Sequence, residues 1–359
     1  MGGRKMLKSK KTILITLLML VGILVIGMQI FNYAISTDFM VSRGIKQRNI
    51  QRVEAYEKYL QVDEITVVLV GTAGPMNPDI AQNSTAVFVN GQFLLFDAGD
   101  YAQKRMEQFN LPSESLDAIF LTHFHNDHIA DLGEVMQRSY MIGREKDLVV
   151  YGPTGTEDIV TGFNLIYAAD SDYRTEHHGE EVMPKKYQFA TAKEFDSELK
   201  EVVVYEKNGV VVTAFKNDHP PISPTFGYKI EYDGKKVVIS GDTLVTEALA
   251  EYSNSADLLV MDIMNYDLVT LMEETYKEIG DDQLAKIMHD IREYHPDVKD
   301  VAMMAYNQNV KRLALTHYAP AAPNKSMLDR FYVDPIKMIY KGQLFAGGDE
   351  TTIVIPLGD

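Results

Sequence analysis

Leu121-Thr122-His123-Phe124-His125-Asn126-Asp127-His128 packs three imidazoles and a carboxylate into its last six residues. An apolar run, Ala118–Leu121, precedes it and reads as a strand; a helix is predicted from about Ile129 to Arg138. In extended chain, residues two apart point the same way, so His123, His125 and Asp127 project together from the strand end. His128 turns away where the helix begins. With no cysteine in the chain, disulfides and thiolate sites are excluded, and any metal must be held by His and carboxylate.

Working outward, Ile65–Val70, Thr85–Val89 and Gln92–Phe96 read as strands, the last two joined by an Asn90-Gly91 hairpin turn. Helix Tyr101–Phe109 and strand Leu148–Val150 complete a first half. A second half repeats this pattern, with strands Val202–Tyr205, Val210–Phe215, Gly227–Tyr232, Lys236–Ser240, Leu258–Asp262 and Arg312–Thr316 and helices Asp281–Tyr294 and Val298–Asn309. Two halves of sheet then helix predict a four-layer αββα sandwich. Three of these strands end on metal-ligand residue types: Asp218-His219-Pro220, Ser240-Gly241-Asp242-Thr243 and Leu315-Thr316-His317-Tyr318.

The His-x-His-x-Asp-His run resembles the signature of the metallo-β-lactamase superfamily, and the resemblance extends over about Ile65 to Leu357. Phe96-Asp97-Ala98-Gly99 matches the family's early Asp-containing turn that supports the site. The resemblance implies two divalent ions, zinc by ligand type: His123, His125 and His219 on one, Asp127, His128 and His317 on the other, Asp242 bridging. Two cations so placed would lower the pKa of a shared water towards neutrality and neutralise oxyanion charge, with Asp127 orienting the attacking oxygen.

Within the superfamily, His219 followed by Gly227-Tyr228 is similar to ribonuclease Z, as is His295, which lies 22 positions before His317. His295 is therefore expected to stabilise the transition state or protonate the leaving oxygen. His295-Pro296-Asp297 departs from the His-Ser-Thr of that branch, and Met261-Asp262-Ile263-Met264 from its His-Glu-Ala-Thr. The stretch 152–200, where a basic RNA-binding arm would sit, has five basic and ten acidic residues. Tyr173-Arg174, His177-His178-Gly179, the double proline after His219, Ala319-Pro320 and Gly347-Gly348-Asp349 look like exported arylsulfatase-like relatives. Arg174, His177 and His178 are candidates to meet an anionic substrate; His289, inside a predicted helix, is read as structural.

Five basic residues and no acid precede an uncharged run, Ile13–Ile30. This is read as a signal anchor or signal peptide over residues 1–36, with a weak cleavage signal at Ala34-Ile35-Ser36. A polar connector, 37–63, leads into a hydrolase domain, 64–359. The charge bias favours a cytoplasmic N-terminus and a body outside the cytoplasm, membrane-anchored or secreted. Of the formal net charge of −16, the leader contributes +5, so residues 37–359 carry −21. Such a body repels nucleic acid unless it carries a strong local basic patch. The expectation is thus a dinuclear hydrolase of a small anionic ester, a phosphodiester or sulfate ester, with nucleic acid disfavoured and a homo-oligomer left open. The alternatives are a ribonuclease Z-type 3′-tRNA-processing endoribonuclease and, from another class, a non-catalytic binding protein on the same fold.

Overall fold

Among the described residues, fourteen strands form two sheets, and the residues that fill them explain why the sheets face each other. In a computed structural model that describes residues 2–35, 37–75, 77 and 79–358, the first sheet holds β1 (Glu64–Gly71), β2 (Ser84–Val89), β3 (Gln92–Phe96), β4 (Leu116–Phe120), β5 (Leu148–Pro153), β6 (Ala190–Phe195) and β14 (Thr352–Pro356). The second holds β7 (Glu201–Lys207), β8 (Val210–Lys216), β9 (Phe226–Tyr232), β10 (Lys235–Ile239), β11 (Leu258–Met264), β12 (Arg312–Ala319) and β13 (Gln343–Phe345). The orders are β14-β1-β2-β3-β4-β5-β6 and β13-β12-β11-β10-β9-β8-β7. Each sheet is antiparallel on one side and parallel on the other, the change falling at β3 and at β10.

Alternate strand residues serve different layers. Val87 and Val89 point into the core between the sheets, whereas Ala86 and Phe88 face the helices outside. Both faces are covered, so the strands read as nearly unbroken apolar runs. The expected two-sheet α/β sandwich results, with its inter-sheet core lined by residues such as Phe96, Phe120 and Tyr228.

The chain divides into two compact units, 1–54 and 55–359. The first contains helix Gly2–Ile35, whose stretch Thr12–Ile35 is apolar enough and long enough to cross a membrane. The cleavage signal reaches Ser36, which lies outside the described residues. Residues 38–60, expected as a partly helical connector, form one helix. Its last turn supplies Tyr59, which stacks on Phe88 at 4.5 Å.

Two expected elements differ, and one helix was not expected. The helix expected over 129–138 is broken into Asn126–Ile129 and Leu132–Met141. At the break, the Asp131 amide donates to the Ala98 carbonyl and the Ala98 amide to the His128 carbonyl, tying the metal-type motif to the turn after β3. The helix expected over 281–294 ends at Asp290 and continues only as a short 3-10 turn. The acidic stretch after Gly152 is mainly a helix, Thr156–His178; its first turn is held by the Glu194 carboxylate, which accepts from the amides of Gly155 and Glu157.

Candidate metal centre

The candidate residues meet where strands of both sheets end. From the first sheet, the chain leaves β4 through Leu121, whose amide donates to the Tyr151 carbonyl. It then turns at Thr122, whose amide and hydroxyl both donate to the Asp97 carboxylate at 2.8 Å. Asp97 also lies 2.7 Å from His128 Nδ1, which leaves Nε2 aimed inward. Its backbone sits at φ +56°, a conformation Asp tolerates better than most residues. Such a carboxylate behind an imidazole fixes ring orientation and tautomer and raises basicity.

From the second sheet, His219 is fixed in the same way: its Nδ1 lies 2.9 Å from the Tyr294 carbonyl. Asp242 follows β10 after Gly241, where φ is +62° and a Cβ would come within 2.9 Å of the Phe226 carbonyl, so glycine is required. His317 is placed by a β-bulge. Asp262 pairs with Thr316 and Ile263 with Tyr318, leaving His317 as the extra residue, at φ +46°. A bulge re-aims one side chain without ending the strand.

The outcome is three groups whose nearest ligand atoms lie within 4.8 Å of one another: His123, His125, His219 and Asp242; Asp127, His128 and His317; and Asp242, His295 and His317. Asp242 Oδ2 lies 3.3 Å from His128 Nε2, 3.2 Å from His317 Nε2, and 3.9 Å from both His123 and His219 Nε2. His123 Nε2, His128 Nε2, His219 Nε2 and Asp242 Oδ1 are buried without a protein hydrogen-bond partner. Buried polar atoms without partners are costly, and here they converge, which fits cations as their missing partners.

The electrostatics agree with a site built for positive charge. Burial and then the neighbouring His128 lower the pKa of His123 well below the ordinary imidazole range. Burial also acts to lower His128, but the Asp242, Asp97 and Asp127 carboxylates outweigh it and raise that ring well above the ordinary value. Burial would raise Asp127, yet His128 and His317 hold it down to about 2. Asp242 is likewise held well below its usual range against burial, first by His128 and then by His317.

His295 is buried and belongs to the third group; its Nδ1 lies 3.3 Å from Asp262 Oδ2, and its ring lies 5.2 Å from that of His317. Asp262 is not among the expected site residues, because in sequence Met261-Asp262-Ile263-Met264 reads only as a departure from the branch pattern. The available signal is a carboxylate near the end of an apolar strand. Ser240 Oγ donates to Asp262 at 3.4 Å, as does the Thr243 amide. Arg174, His177 and His178 lie elsewhere, at the end of helix Thr156–His178. They do not line the cavity at the cluster, and Arg174 is paired with Asp170 at 2.7 Å. His289 is exposed, 3.4 Å from Glu273.

Residues 93–318 match the beta-lactamase superfamily domain. The chain belongs to that superfamily. Its superfamily relatives include ribonuclease Z of Mycobacterium marinum, 32% identical over 261 residues, covering 72% of this chain and 87% of the relative. Ribonuclease Z of Mycobacterium bovis is 31% identical over the same shares. Among solved structures, the short form of human tRNase Z superposes with a TM-score of 0.56 at 20% identity, over 81% of this chain and all (100%) of that one. The metallo-beta-lactamase fold protein YhfI from Bacillus subtilis gives 0.58 at 18% identity, over 81% and 100%. As a superfamily member the chain is a metal-dependent hydrolase of ester bonds, of a fold that binds divalent metals. The relatives correct one expectation. A small anionic ester, with nucleic acid disfavoured, was expected from the arylsulfatase-like features, the acidic stretch 152–200, the expected export and the −21 body charge, but relatives of this similarity are named for acting on RNA. Net charge is a whole-molecule average, and local cations at a site can override it.

Proposed function

We propose that this chain is a ribonuclease Z-type phosphodiesterase that cleaves RNA at a dinuclear site, held near a membrane by its N-terminal helix. The observation that carries this is the convergence of partnerless, buried His Nε2 atoms around Asp242, with His295 and its carboxylate partner beside them. The 32% identity to ribonuclease Z over 72% of the chain supports the choice of substrate.

His123, His125 and His219 would hold one ion, Asp127, His128 and His317 the other, and Asp242 would bridge. When bound, the ions would supply an activated water and Lewis-acid neutralisation of a phosphodiester oxygen. Zinc suits the donor set of imidazole and carboxylate. Asp97 and the Tyr294 carbonyl orient His128 and His219. Asp127 would orient the attacking oxygen. His295, steadied by Asp262, donates to the leaving oxygen or to a developing oxyanion.

The membrane reading rests on Thr12–Ile35, with mean hydropathy 2.7 over its apolar window. At about 1.5 Å per residue it exceeds a bilayer core of about 30 Å. The test is full-length protein in detergent, assayed on a 3′-extended precursor tRNA and on short single-stranded RNA, with metal content measured in parallel. Cleavage requiring about two ions per chain is expected. Metal-loaded protein that cleaves neither RNA would overturn the proposal.

A further inference from the structure

The cluster forms only one end of a cavity of about 320 Å³. The other end is apolar. Met264 ends β11, Met272 and Tyr276 come from helix Tyr266–Glu278, and Ile287, Met288 and Ile291 come from the next helix and the turn after it. Val269 and these residues pack as a satellite cluster, separate from the core between the second sheet and its other helices. Among the described residues, the histidines and carboxylates lining the cavity are His125, Asp127, Asp242, His295 and His317, all of the cluster. Tyr294 also lines the cavity, its ring 4.9 Å from those of both His219 and His295.

Phosphodiester chemistry does not need such a wall. A phosphate and two riboses are polar and would gain little from methionine and isoleucine. A nucleobase is the apolar, polarisable part of an RNA substrate, and single-stranded RNA is commonly held by splayed bases laid on aromatic and apolar side chains. Methionine adapts to flat faces of different outline and makes favourable sulfur–aromatic contacts. The cavity volume lies at the low end of small-ligand sites, which suits one unstacked nucleotide and excludes a base still paired in a helix.

Building on the RNA-cleaving function, we infer that the apolar end of the cavity binds the unstacked nucleobase of a nucleotide adjoining the scissile phosphate, so that cleavage requires a single-stranded junction there. With Tyr276 and three methionines as the platform, recognition is by stacking and shape, and is tolerant of base identity.

The test uses the full chain in detergent, with its metal, and a single-stranded RNA carrying one cleavage site. Two further substrates replace the base on the 5′ or the 3′ side of that site with a stable abasic analogue. One of the two should lose kcat/KM by on the order of 10- to 100-fold, the range expected for a lost base–aromatic stack. Tyr276→Ala should lower kcat/KM on intact RNA by a larger factor than on that abasic RNA. If both abasic RNAs are cleaved as fast as intact RNA, the base-binding inference fails while the ribonuclease function stands. If no RNA is cleaved at all, both fail together.

Discussion

Replacing His295 by alanine separates a group that acts on substrate from one that holds metal. The ring is buried, its Nδ1 faces Asp262 at 3.3 Å, and it borders the cavity beside His317. Loss of a donor aimed at developing charge commonly costs about 2.7–4 kcal/mol, so kcat should fall on the order of 10²- to 10³-fold. Metal content should hold, because the two groups built on His123 and on His128 do not include His295. Asp262→Ala leaves the ring in place but unsteadied, and should cost less, on the order of 10- to 100-fold, as loss of an orienting partner does. The double variant should cost no more than His295→Ala alone, because Asp262 acts through the ring. The assay is single-turnover cleavage of RNA with elemental analysis of each variant, and His123→Ala, which should lose metal and activity together, is the control. The effect should shrink on bis-nitrophenyl phosphate, whose leaving group barely needs a proton. Turnover of RNA within about threefold of the parent, or loss of metal in proportion to activity, would refute the assignment.

Metal retention should fall with pH, because His128 and His317 have raised proton affinity and must lose those protons to bind an ion; equal metal content after dialysis at pH 5 and pH 7.5 would count against these ligands. Burial raises the Asp131 carboxyl to about 6, so the folded state binds this proton more tightly than the unfolded chain, and stability is lost as pH rises from about 4 through 6. Asp131→Asn keeps an acceptor for the Gln103 amide and should therefore melt above the parent at pH 7.5, with the gap gone by pH 4.5, as read by thermal melts. Asp349 accepts from the amides of Thr72 and Ala81 and pairs with Arg105 at 2.9 Å; Asp349→Ala should destabilise by about 2–4 kcal/mol in urea melts, and a loss under about 0.5 kcal/mol would mean those amides find other partners. A reporter fused after residue 358 should be active outside the cytoplasm, given the basic residues before the apolar run. Activity only inside would put the site where precursor tRNA is made.

Legibility followed locality. His123 to His128 form a contiguous run whose spacing alone aims the side chains, His219 and Asp242 stand where apolar strands give way to polar turns, and His317 lies near the end of a third strand. The sheet-then-helix order of both halves was readable from the same apolar runs. Asp262 was not recognised, because a single carboxylate in a strand has no spacing signature; its role emerges only when His295, far along the chain, is brought to it. Helix Thr156–His178 was also hidden. Only Thr156, Val160, Ser171 and Thr175 among its residues are buried, so no apolar stripe marks a helical period. The three-methionine wall of the cavity was invisible for a related reason: its members look like ordinary core residues until the helices that carry them are laid against β11.

The pairing of β14 with β1 has a consequence for synthesis. A ribosome releases β1 early and residues 349–356 only after every candidate metal ligand has emerged. Until then β1 is an open edge, the kind of edge that recruits foreign strands. Thr72 and Ala81, whose amides donate to Asp349, and the Thr72 carbonyl that accepts the Tyr318 amide beside His317, lack that carboxylate anchor until then. The nascent chain therefore carries a complete set of ligands in an unfinished frame. Fastening that frame waits on residues 349–356, which follow every candidate ligand in the sequence.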